Sequence, residues 1–261
     1  MKTLVLFLLL SASVLAQYND PVASRMSTVI IEADQFIGQD SYDYQYFIKN
    51  NTLFKIKGTE TFQYKNPSLG KISSVDIQNP LRIILFYENF NVVVALDNQL
   101  NEVQKINFLE KLGGMIVSVC GFSSQNNFWI FDSTNQQLRL FNYRKNSHKP
   151  IGQPFDKAIK KYTADFNDFY WIDVDNKFYR YDIFGKKKLL AQIPNFDQVF
   201  ICDERLVLYK KDDILYFFDI EENKSIPIND IEKSFKSFYY KNQNLAIFTD
   251  EGITNYIINL P

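Results

Sequence analysis

The sequence predicts an all-β ring: six four-stranded antiparallel units in a single domain, closed by a strand from the N-terminal end. Three observations predict it. Short β-branched or aromatic runs recur about every forty residues, and each is followed across a tight polar turn by a second apolar run. The last unit stops one strand short, while a strand with nothing nearby to pair with stands near the start of the chain.

The first landmark series is Tyr46-Phe47-Ile48, Ile83 to Phe86, Phe128 to Phe131, Phe169 to Ile172, Leu206 to Tyr209 and Leu245 to Phe248, with spacings of 37, 45, 41, 37 and 39 residues. Each run is bounded by polar residues and reads as a buried strand. The runs that follow are Leu53 to Ile56, Val92 to Leu96, Leu138 to Phe141, Phe178 to Tyr181, Leu215 to Phe218 and Tyr256 to Ile258. All but the first end on Asp or Asn, at positions 97, 142, 182, 219 and 259. Asn50-Asn51, Asp175-Asn176, Asp212-Asp213 and Glu251-Gly252 join the paired strands, since these residue types accept the positive φ of a two-residue hairpin.

A strand precedes each pair, as in Ile72 to Ile77, Met115 to Phe122, Ile159 to Ala164, Val199 to Cys202 and Phe235 to Tyr240. A fourth follows, as in Glu102 to Phe108, Leu189 to Ile193 and Ser225 to Ile228. Four antiparallel strands per forty residues make a β-propeller blade. The sixth unit has three strands, and Thr28 to Glu32 supplies the missing fourth, closing the ring and covering two bare edges. Helix is expected only around Phe108 to Leu112, before Gly113-Gly114, and at Asp230 to Lys233.

Over residues 27–260 the chain resembles the six-bladed propeller superfamily, including NHL-type and YWTD-type repeats; Tyr170-Trp171-Ile172-Asp173 is the nearest echo of the YWTD tetrapeptide. The skew to Asn, Lys, Ile, Phe and Tyr, with a leader ending in Ala-Gln, resembles exported proteins of Bacteroidetes.

Composition bounds the function. The chain has 261 residues, among them 42 aromatics, 9 Gly, 2 Cys and one His, which excludes collagen-like, disulfide-scaffold and low-complexity classes. A net charge of −1 makes no electrostatic case for nucleic acid. Lys2, the apolar run Leu4 to Leu10 and Val14-Leu15-Ala16 read as a signal peptide over residues 1–16, cleaved before Gln17. Its apolar stretch is shorter than the ~20 residues that span a bilayer, and no other stretch is long enough. The expected layout is signal 1–16, linker 17–26 and one propeller domain over 27–261, exported to the periplasm, cell surface or medium.

The candidate chemistry is sparse. His148 sits in a basic run from Arg144 to Pro150 and reads as part of a solvated loop insertion, with no acid placed to orient its ring. Cys120 and Cys202 fall in the first strands of the third and fifth blades, two blades apart, where a bridge is disfavoured unless both side chains enter a narrow axial channel, and they read as buried free thiols. Asp43, Asp76, Asp97, Asp132, Asp165, Asp173, Asp182, Asp203 and Asp219 recur near strand ends. They either cap turns once per blade or line an axial mouth that holds Ca²⁺; recurrence with the repeat favours caps. The aromatics mostly pack blade on blade, with Tyr42-Asp43-Tyr44 and Tyr239-Tyr240 the first candidates for a binding face. Gly113-Gly114 is a turn, and Asn50-Asn51-Thr52 and Asn223-Lys224-Ser225 match the N-glycosylation sequon.

No catalytic, cofactor-binding or metal-ligating residue is therefore assigned. The expected function is a non-catalytic, exported scaffold that binds a protein or peptide, including an envelope complex. The alternatives are a Ca²⁺-dependent hydrolase or lactonase and a glycan-binding module, since one fold hosts all three.

Overall fold

The computed structural model describes residues 22–258. The expected signal peptide, residues 17–21 of the expected linker and the terminal Asn259 lie outside them. Within them the chain forms six four-stranded antiparallel sheets, as the period predicted. Five blades run consecutively over residues 35–64, 74–107, 117–150, 159–192 and 198–227, and the sixth combines Ser237–Lys241, Asn244–Phe248 and Ile253–Ile258 with the N-terminal strand Ala23–Val29.

Ring closure is as expected, but its register starts earlier. Ala23–Val29 pairs antiparallel with Ile253–Ile258, so the last four residues of the expected linker are already sheet. The β-branched run Val29-Ile30-Ile31 drew the prediction toward Thr28 to Glu32, yet the backbone leaves the sheet there. Ile30 is 89% exposed, whereas Ile31 turns inward against Phe36, Phe47 and Phe248.

Hairpin chemistry sets the blades. Asn50 and Asn51 both take positive φ, as do Asp212 and Asp213; in the other two expected turns only Asn176 and Gly252 do. Gln125-Asn126 and Asn242-Gln243 form further hairpin turns of this kind between first and second strands. The left-handed Asn51 and Asn91 also tie each blade to the next: Asn51 bonds Gly70 O and Ile72 N, and Asn91 bonds Met115 O and Val117 N, at 2.6 and 2.9 Å in both cases.

The core is six apolar layers, one between each pair of neighbouring blades, and aromatics dominate several of them. Trp171 stacks on Phe155 at 4.3 Å and on Tyr179 and Tyr181 at 5.1 and 5.2 Å, and Phe108 meets Phe141 edge to face at 5.5 Å. Large rings fill the gaps between neighbouring sheets, which is the use made of many of the chain's aromatics.

Three expectations change. Asp230 to Lys233 is not helical: Asp230 has φ +61, on the wrong side for entry to a right-handed turn. Ser147–Pro150 is the outer strand of the third blade, not a loop, with His148 opposite Phe141. Its wholly exposed pattern carries no apolar alternation, so its sequence looks like a loop. The strands Gln35–Gln39 and Glu60–Tyr64, which complete the first blade, are short and polar at their ends and were not read from the sequence. The short helix Phe108–Lys111 forms as expected, capped by Asn107, whose side chain accepts from Leu109 N and Glu110 N.

Candidate functional site

All but one of the recurring carboxylates are dispersed around the ring as turn caps. Asp97, Asp165, Asp173, Asp182 and Asp203 each accept two backbone N–H bonds from the two to four residues that follow, at 2.7–3.0 Å. Asp219 accepts one, from Glu222, and Asp132 accepts from Asn135 and from the Arg139 side chain. Asp76 accepts from Gln78 N and, across to the third blade, from Phe122 N, and burial raises its pKa. Asp43 takes only the Gln39 amide. Among the described residues no group of three or more His, Cys, Asp or Glu is placed to hold a metal ion. The axial carboxylate cluster that a Ca²⁺ hydrolase requires is thus not what these side chains form.

The other singled-out residues separate cleanly. His148 Nδ1 lies 3.3 Å from the Arg139 guanidinium; burial and that cation lower its pKa, partly offset by Asp132. Cys120 and Cys202 are free, and burial raises both thiols well above their ordinary value. Tyr239 bonds Gln39 O at 3.1 Å and packs on Phe200, while Tyr240 meets Phe217 edge to face at 5.3 Å, so this pair is packing. The sequon residues Asn50 and Asn223 stand exposed in turns, and Gly113 and Gly114 end the short helix at positive φ.

Tyr42-Asp43-Tyr44 alone of these leads to a site. A groove of about 470 Å³ runs between the first and second blades, lined on the first by Tyr42, Tyr44, Lys55, Lys57, Glu60 and Phe62 and on the second by Pro80, Leu81, Asn98 and Gln99. Asp40 shapes the first wall. It is buried, its Oδ1 accepts from Tyr42 N and Tyr44 N at 2.8 and 3.0 Å, and its Oδ2 accepts from Tyr46 OH at 2.8 Å. The second wall rests on Asp97, whose capped turn buries Leu100 at φ +63 and turns the Asn98 carbonyl inward.

Lys55 lies at the floor, only 3% exposed. Its ammonium donates to Asn98 O at 2.7 Å and sits 4.2 Å above the Tyr44 ring, with Tyr46 and Phe62 at 5.6 and 5.8 Å. Burial lowers its pKa, and the negative charges of Asp40, Asp97 and Glu60 oppose that shift. Lys57 donates to Tyr42 O at 2.8 Å, and the Tyr44 hydroxyl donates to Glu60, which raises the phenol's pKa. Every wall is therefore fixed by hydrogen bonds before a ligand arrives, and what it offers is recognition: ring faces, apolar surface and two cations. The sequence does hold a signal for Lys55. It shares a strand face with fully buried Leu53, where a charge is out of place unless something holds it.

The fold and this groove define a six-bladed β-propeller with a preformed inter-blade cleft. No protein-family model and no curated protein matches the chain. Among solved structures it is similar to a streptogramin B lyase, at 10% identity and TM-score 0.59 over 93% of this chain and 99% of that one. It is also similar to BamB from Moraxella catarrhalis (10%, 0.52, 90% and 99%) and to the Cps50 (Swd1) propeller domain of Myceliophteria thermophila (8%, 0.58, 91% and 100%). Virginiamycin B lyase from Staphylococcus aureus, seen as a catalytically inactive histidine-to-alanine variant with quinupristin, matches at 14% and 0.55 over 85% and 79%. At these identities the likeness shows the fold alone.

Proposed function

We propose that the chain is an exported, non-catalytic β-propeller that binds a segment of a protein or peptide partner in the groove between its first two blades. The groove's rim carries the reading: Tyr42 and Leu81 are 55% and 63% exposed at the mouth of a concave, hydrogen-bonded site. Large apolar side chains left in water there supply contact area, and rigid walls spare a ligand the cost of ordering them. The signal-like residues 1–16 support export. No helix among the described residues is long and apolar enough to cross a membrane. A lyase-like activity finds less support, because the one His lies on an outer edge strand beside Arg139.

The test is selection of a phage-displayed random peptide library on the immobilised full chain. The expected result is a set of peptides whose binding falls about tenfold or more in a Tyr42→Ala, Leu81→Lys variant that keeps the wild-type circular dichroism and melting temperature. Enriching nothing, or enriching peptides indifferent to both substitutions, would overturn the reading.

A further inference from the structure

The groove floor carries an imbalance of donors. An ammonium has three N–H groups, and of those on Lys55 one is taken, by the Asn98 carbonyl. The rings around it stabilise its charge through their faces but leave the remaining donors free. The neighbouring carboxylates are engaged elsewhere: Asp40 with three donors around the Tyr42 turn, Asp97 with its own turn, and Glu60 with the Tyr44 hydroxyl. Two residues further along the same strand face, Lys57 brings a second ammonium to the lining, with one of its three donors taken by Tyr42 O. Beside these cations stands apolar surface from Phe62, Pro80 and Leu81.

We propose that the groove selects an acidic peptide segment, the carboxylate of an Asp or Glu accepting hydrogen bonds from Lys55 and Lys57 while an adjacent apolar side chain packs on Phe62, Pro80 and Leu81. This rests on the groove being the peptide site proposed above. A carboxylate brings two acceptor oxygens and no donor, which matches an excess of N–H groups. An amide of the same shape brings an NH₂ with no partner waiting, and a basic residue brings only further donors. Such charge-assisted bonds are about twice as strong as neutral ones.

The experiment is calorimetric titration of the full chain with groove-dependent peptides from the library and with counterparts in which each Asp or Glu is replaced by Asn or Gln. The acidic peptide is expected to bind about tenfold or more tighter than its amide counterpart. That ratio should shrink in Lys57→Gln and as NaCl is raised through the range where the screening length falls to a few ångströms. The peptide pair leaves the buried Lys55 untouched, so the comparison does not depend on a core variant folding. Groove-dependent peptides whose amide counterparts bind equally well would overturn acidic selectivity while leaving the peptide site standing. Failure to find any groove-dependent peptide overturns both. Tighter binding of oligogalacturonate, an acidic glycan, than of any peptide would also overturn the inference.

Discussion

Gly252 is where ring closure can be challenged with a single methyl group. It takes φ +137 between the second and third strands of the sixth blade, and a Cβ there would stand 2.2 Å from Val29 O, 2.9 Å from Ile31 N and 3.0 Å from Ile30 Cα. All three atoms belong to the point where the closing strand leaves its partner. Ordinary contact begins near 3.4 Å, so Gly252→Ala must push that backbone back by roughly 1 Å. Gly113 is the control, with φ +61 and nothing within 4 Å of a Cβ. Gly113→Ala meets only backbone strain, about 1 kcal/mol, whereas Gly252→Ala meets strain and displacement, about 2–4 kcal/mol. For a domain of this size that difference separates the melting temperatures by roughly 2–12 °C. Scanning calorimetry reads it, and hydrogen exchange should show faster exchange in Ala23–Val29 with the other blades unchanged. If Gly252→Ala melts no lower than Gly113→Ala, the closing strand is not seated as described.

Three further outcomes are expected. Asn91→Ala should cost about 2–4 kcal/mol in urea titrations, because it strands the buried Val117 N–H and puts at φ +54 a residue that tolerates it less well than Asn; Asn91→Gly, which relieves the φ, should cost less. Asp132 is buried, which alone would raise its pKa, but bonds from Asn135 and Arg139 outweigh this and lower it. Its stabilisation is therefore present above the unfolded carboxylate value and lost as pH falls through the lower folded value. Asp132→Asn should be most destabilising near neutrality, with the gap from wild type closing in urea midpoints below about pH 4. Cys120, whose thiol burial pushes up, should resist iodoacetamide until the chain unfolds; rapid alkylation of the native protein would contradict its place in the core.

The ring was legible because its signals repeat. Six buried runs and five terminal polar residues keep one period, and a period survives errors in any single strand. An element facing water on every side was lost: Ser147–Pro150 is wholly exposed and carries no apolar alternation, so nothing in its residues distinguishes edge strand from loop. The groove was half legible. Tyr42 and Tyr44 stood out as paired aromatics, and Lys55 is readable as a charge on a buried strand face of the same blade, but Pro80, Leu81, Asn98 and Gln99 belong to the second blade and meet them only across the blade boundary. No local pattern encodes that meeting. The turn-capping aspartates were readable because each acts on residues within four positions of itself.

Closure by the N-terminal strand also fixes an order of events. Blades one to five form between residues close in sequence, whereas Thr28 meets Thr254 across 226 positions. The entropic cost of that long loop grows only logarithmically, but the waiting time does not. At about 5–20 residues per second of synthesis, Ala23–Val29 waits roughly ten seconds or more for Ile253–Ile258 to exist. The earliest of the described strands is thus the last to be paired, and until then its own edge stays bare for a second chain to add on.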